Sequence, residues 1–209
     1  MTTRDIGLVA LFAAVIVALG AVPAFPLAVL PVPITLQSLG VMLAGLVLGP
    51  KRGAAAPLVV IALVAIGLPV LAGGRGGLVV FAGPTAGFLI GWVPAAFVAG
   101  LLAMRLDRDG TPALVRALSA VRLNALTRPL ARGGTGTVSR LLGLIAAALI
   151  GGVVVDYAFG IVWLAFAAKI GLAKAFYGSL AFIPGDIVKA VIAALVTLKV
   201  GDAYRLDRR

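Results

Sequence analysis

The chain of 209 residues contains no cysteine, no histidine and no glutamate. Without cysteine there are no disulfides, no thiolate nucleophile and no Cys-ligated metal. Without histidine, His-based acid–base and triad chemistry are excluded. Seven Asp are the only acidic side chains, which leaves few ways to build a protein-held transition-metal site. Charge as a whole is scarce. Only 12% of residues are charged and 62% are hydrophobic, against about 25% and 45–50% in a soluble domain. No GxxxxGK[ST] sequence or other nucleotide-binding motif occurs, so ATP hydrolysis by this chain is not expected.

What is present is a series of apolar runs. A membrane crossing needs about 20 residues, because the hydrocarbon layer is about 30 Å thick and a helix rises 1.5 Å per residue. Candidate crossings are Ile6 to Val22, Ile34 to Leu48, Ala54 to Leu71, Ala86 to Met104, Leu141 to Phe159, and a sixth within Tyr177 to Val200. The first is read as a retained helix, not a cleaved signal peptide, because further apolar runs follow it. The expectation is an all-α integral membrane bundle of six transmembrane helices, forming a single transmembrane domain over residues 1–209.

The connections carry most of the remaining information. Pro23, Pro26, Pro31 and Pro33 mark a loop that has no charge, which suggests that it folds onto the bundle. Gly49-Pro50-Lys51-Arg52-Gly53 is a strong break. Gly73-Gly74-Arg75-Gly76-Gly77 reads as a tight turn, and Leu78 to Ala82 is too short to cross a membrane. Arg105 to Arg140 is a long basic loop, in which Pro112 to Leu123 could form an amphipathic helix lying on the bilayer.

The net charge of +11 would suggest nucleic acid in a soluble protein. Here the cations sit between apolar runs, so the expectation is membrane lipids as partners and no nucleic acid. With the N-terminus in the cytoplasm, fourteen cations fall on the inner side: Arg4, Lys51, Arg52, seven Arg of the long loop, Lys199, Arg205, Arg208 and Arg209. Arg75, Lys169 and Lys174 fall outside. This bias follows the positive-inside rule and puts both termini in the cytoplasm.

Candidate functional residues are the polar groups inside apolar runs. Asp186 and Lys189 are three apart and share a helix face. Each charge costs about 2.5–3.5 kcal/mol near the bilayer centre on insertion scales, so both should turn into the bundle. They form either an internal ion pair that ties helices together or the polar floor of a small-molecule site. Pro184 suits a first helical turn, which places Asp186 at the positive end of its helix. Asp156 could balance Lys189 or Arg75, and Tyr157 beside it is either an interfacial anchor or a pocket wall. Thr35 reads as a helix cap and Gln37 as a pocket residue. Trp163 fits an interfacial anchor. Ala10, Ala14 and Ala18 form a small-residue stripe, suited to packing within the chain or to docking a partner membrane protein.

Several stretches resemble the BioY family, biotin-binding substrate-capture (S) components of energy-coupling-factor transporters. They are Val32-Pro33-Ile34-Thr35-Leu36-Gln37, Leu48 to Gly53, Gly67-Leu68-Pro69-Val70, Ala72 to Gly77, Gly83 to Phe88, and Phe182 to Lys189. The resemblance implies a six-helix bundle at the cell membrane, with a biotin site that opens outward and contains Asp186 and Lys189. Gln37, Thr35, Arg75, Thr85, Phe88, Tyr157 and Trp163 are further candidate ligand contacts. It also implies a transmembrane coupling subunit that docks on Ala10 and Ala14, and two ATPase subunits. No cofactor is expected, since biotin would be cargo, and no enzymatic activity. A stand-alone carrier for biotin or a similar solute is the alternative. Two departures stand out: the basic loop is long for the family, and Ala86 stands where its pattern has a second glycine.

Overall fold

The computed structural model describes residues 1–26, 30–109 and 135–203. Helix α1 (Thr3–Gly20) starts at a capping box, in which Thr2 Oγ1 accepts from the Asp5 amide and the Asp5 carboxylate accepts from the Thr2 amide. α2 (Gln37–Leu48) follows, then α3 (Pro50–Ala65), with Gly49 between them at φ 80°. A 3-10 turn (Leu78–Ala82) leads into α4 (Ala86–Asp109). α5 comprises Thr135–Leu149, a π-helical segment Ile150–Val155, and Asp156–Ala167. A short α6 (Leu172–Ser179) and a 3-10 turn (Leu180–Phe182) precede α7 (Ile183–Ala203).

The described residues form an all-α bundle of six helices, α1 to α5 and α7. α4 is the hub, packed against α2, α3 and α5, while α2 also packs against α7. Among the described residues, four stretches are long and apolar enough to cross a membrane: Thr3–Gly20, Ala86–Leu106, Thr137–Ala167 and Leu172–Val200. Large apolar side chains such as Leu11, Ile90, Val154, Val162, Phe166 and Val188 cover their outer faces, a surface suited to lipid and not to water. The chain is a multi-pass membrane protein.

Several boundaries differ from the sequence-based expectation. α2 starts at Gln37 and not at Ile34, because Phe25 and Ile34 exchange two backbone hydrogen bonds (2.9 and 2.8 Å) that hold the preceding residues extended. Thr35 is not the cap: Leu36 occupies that position, and no side-chain hydrogen bond is made there. α3 starts at Pro50, which takes a first-turn position and draws Lys51 and Arg52 into the helix. Arg52 then reaches Asp5 at 3.1 Å, joining the starts of α1 and α3. α3 ends at Ala65, not Leu71, since Gly67 at φ 101° turns the chain. α5 runs past Phe159 to Ala167. The amphipathic helix expected over Pro112 to Leu123 lies outside the described residues.

The end of the charge-free proline segment folds onto the bundle. Leu30 and Val32 are buried with Tyr157, Ile161, Leu164 and Phe182. The hub depends on missing side chains. A Cβ at Gly45 of α2 would stand 2.5 Å from the Ala96 carbonyl oxygen of α4, and one at Gly151 of α5 would stand 2.5 Å from the Ala95 carbonyl oxygen. Backbone cannot move aside as a side-chain tip can, so the helices meet this closely only at glycine. Gly45→Val should therefore destabilise the bundle by about 1–3 kcal/mol or more. A lowered melting temperature in detergent would register this, with Gly7→Ala, at an open position, as the unchanged control.

Candidate functional site

Six polar or charged residues are buried among the described residues: Gln37, Asp156, Ser179, Asp186, Lys189 and Thr197. Two are satisfied within their own helices. Ser179 Oγ donates to the Ala175 carbonyl and Thr197 Oγ1 to the Ala193 carbonyl, both at 2.7 Å. The other four line one cleft. Its empty volume, open mouth included, is about 660 Å³.

Pro184 lies in the first turn of α7, as its fixed φ and missing N–H favour. Asp186 follows in the same turn, where the helix dipole stabilises a carboxylate. One turn on, Lys189 Nζ meets Asp186 Oδ1 at 2.9 Å. Tyr157 Oη donates to Asp186 Oδ2 at 2.6 Å, and Lys189 Nζ donates to Ser38 Oγ at 3.0 Å. One network therefore joins α2, α5 and α7. Lys189 keeps a third N–H, and each Asp186 oxygen keeps a lone pair, for a ligand.

The walls are apolar and aromatic. Phe88, Tyr157 and Phe182 stand mutually edge to face, with ring centroids 5.9, 6.1 and 6.3 Å apart. Such contacts fix ring planes. Leu71, Leu89 and Trp92 add to one side, and Val32, Pro33, Ile34 and Thr35 of the proline segment form another. Arg75 and Thr85 also line the cleft; Arg75 Nη1 donates to Thr85 Oγ1 at 3.4 Å and Arg75 Nε to the Ala72 carbonyl at 3.1 Å.

Eight of the candidate contacts thus meet in one place: Thr35, Gln37, Arg75, Thr85, Phe88, Tyr157, Asp186 and Lys189. Trp163 does not line the cleft. Its Nε1 donates to the Gly83 carbonyl at 2.8 Å, bracing α5 against the turn before α4. Gln37 reaches the cleft, but its amide is committed to backbone: Nε2 donates to Ile16 O (3.3 Å) and Val70 O (3.2 Å), while Oε1 accepts from the Ala72 amide (2.9 Å). It binds α1 to the turn after α3. Ser38 and Asp156 were not singled out as ligand contacts from sequence, although Ser38 adjoins Gln37 and Asp156 adjoins Tyr157. Asp156 pairs with neither Lys189 nor Arg75, both of which are bonded elsewhere. Ala10 and Ala14 lie on the exposed face of α1, away from the cleft.

The sequence matches the BioY family over residues 1–206. It is 55% identical over 206 residues to the biotin transporter BioY of Rhizobium etli, covering 99% of this chain and 97% of that protein. It is 52% identical over 202 residues to the biotin transporter BioY of Rhodobacter capsulatus, covering 92% and 90%. The fold is similar to the crystal structure of an S-component for biotin from an ECF-type ABC transporter, with a TM-score of 0.75 and 31% identity over 97% of this chain and 95% of that one. Matched along nearly its full length in both sequence and fold, the chain belongs to the BioY family.

Proposed function

We propose that this chain captures biotin from outside the cell and serves its uptake, as the substrate-binding subunit of an energy-coupling-factor transporter. The carrying observation is that the four buried polar residues not satisfied within their own helices converge on one aromatic-walled cleft. Biotin matches that lining in kind. Its ureido ring offers two N–H donors and one carbonyl, its fused thioether ring is apolar, and its tail ends in a carboxylate. Asp186 accepts a ureido N–H, and the free N–H of Lys189 donates to a ligand oxygen. Phe88, Tyr157 and Phe182 enclose the apolar rings, with Thr35, Thr85 and Arg75 among the polar positions of the lining. The relatives named as biotin transporters support this cargo. Binding and transfer without chemical conversion fit a chain that lacks histidine and cysteine.

All six bundle helices cross the membrane as a single domain, with both termini in the cytoplasm. The cation distribution supports this orientation. α2 and α3, with 12 and 16 residues, are short for crossing, and local bilayer thinning accommodates them. The exposed Ala10 and Ala14 form the docking face for a transmembrane coupling subunit, through which two ATPase subunits act. The relative of known structure, an S-component from an ECF-type ABC transporter, supports these partners.

Two experiments test this. Biotin binding to the detergent-purified chain should weaken about ten- to a hundredfold in Asp186→Asn and Lys189→Ala, since each loses a charge-assisted hydrogen bond of about 1.5–3 kcal/mol. Tyr157→Phe should weaken it by less, because the phenol acts through Asp186. Unchanged affinity in correctly folded Asp186→Asn and Lys189→Ala would remove the assignment. Separately, Ala10→Trp with Ala14→Trp should abolish co-purification with coupling and ATPase subunits while leaving biotin binding intact. Biotin uptake by vesicles containing this chain alone, without ATP, would instead establish a stand-alone carrier.

A further inference from the structure

One buried carboxylate in the cleft stands outside the Asp186 network. Asp156 lines the cleft and is only 5% exposed. Its Oδ1 has no hydrogen-bond partner among the described residues. By contrast, both oxygens of Asp186 are engaged, one by Lys189 and one by Tyr157. The cations that share the lining make no hydrogen bond to Asp156: Lys189 bonds Asp186 and Ser38, and Arg75 bonds Ala72 and Thr85.

This carboxylate is held in place by two local features. It directly follows the π-helical segment Ile150–Val155, whose wider turn shifts the register of every later residue on α5. Opposite it on α4 is Gly91, where a Cβ would stand 2.5 Å from Asp156 Oδ1. The hub helix therefore leaves a gap filled by this carboxylate. Buried acceptors in folded proteins nearly always have a donor. An acceptor without one, buried in the wall of a cleft, is matched when a ligand brings an N–H within reach.

We propose that Asp156 is a ligand-contacting acceptor that takes a ring N–H of the cargo beside the Asp186–Lys189 pair. This rests on biotin being the cargo. Two carboxylates and one ammonium then correspond to the two N–H groups and one carbonyl of the ureido ring. The site thereby selects against ligands that lack either N–H, because such a ligand leaves a buried acceptor unmatched.

The test uses the full chain in detergent, with radiolabelled biotin and two cyclic carbamate analogues, each with one ureido N–H replaced by oxygen. Asp156→Leu should weaken biotin binding about ten- to a hundredfold. The unaltered protein should bind each carbamate about ten- to a hundredfold more weakly than biotin, and Asp156→Leu should lose that distinction for one of the two only. Gly91→Ala, which displaces the carboxylate without removing it, should reproduce part of both effects. It decides the matter if Asp156→Leu does not fold. Biotin binding within twofold of the unaltered protein in both variants overturns the proposal. Equal weakening for all three ligands also overturns it, since that would mark a structural role. Failure of the unaltered protein to bind biotin removes the cargo assignment and this one together; tight biotin binding by the variants removes this one alone.

Discussion

The ion pair between Asp186 and Lys189 is the interaction on which the site is organised. Neither charge is tolerable against lipid, and both lie in a helix whose other side chains are mostly apolar. Their mutual contact at 2.9 Å removes part of the desolvation penalty. The rest falls to neighbours, and those neighbours come from different helices: Ser38 from α2 and Tyr157 from α5. One buried pair thus dictates where three helices must stand. It does so through directional bonds, which oily packing alone does not supply.

Around that centre, the bundle separates two kinds of contact. Near the hub, α4 approaches α2 and α5 through glycines that leave no room for side chains. At the cleft, aromatic rings from α4, α5 and the turn before α7 surround an open volume. Gln37 works at the junction of these regimes, crosslinking α1 to the turn after α3 through three backbone contacts. Rigid walls around an enclosed polar floor hold their hydrogen-bonding groups ready for a ligand, so little ordering remains to be done on binding.

Much of this was legible in the sequence, and the remainder has identifiable causes. Long apolar runs marked the helices, since hydropathy is a sum over neighbours. The Asp186–Lys189 pair was visible because both members lie on one turn. The ends of α2 and α3 were displaced by features that hydropathy does not weigh: a strand-like bridge before Gln37 and a first-turn proline at Pro50. Ser38 and Asp156 gain their meaning from α7 and α4, far along the chain, and no local pattern marks them. Gln37 and Trp163 both bond backbone carbonyls from other segments, Trp163 at a separation of 80 residues. Backbone acceptors carry no sequence signature, so a brace and a ligand contact look alike until the chain is folded.

The shortness of α2 has a geometric consequence. Twelve residues rise only about 18 Å, well below the thickness of the oily layer. Its first turn, with Ser38, meets the first turn of α7, with Asp186, through Lys189. Two amide-rich helix ends thus converge on the base of the cleft, each with the partial positive charge of its dipole. An electronegative ligand atom at the cleft base therefore meets three sources of positive potential: the two helix ends and the Lys189 ammonium.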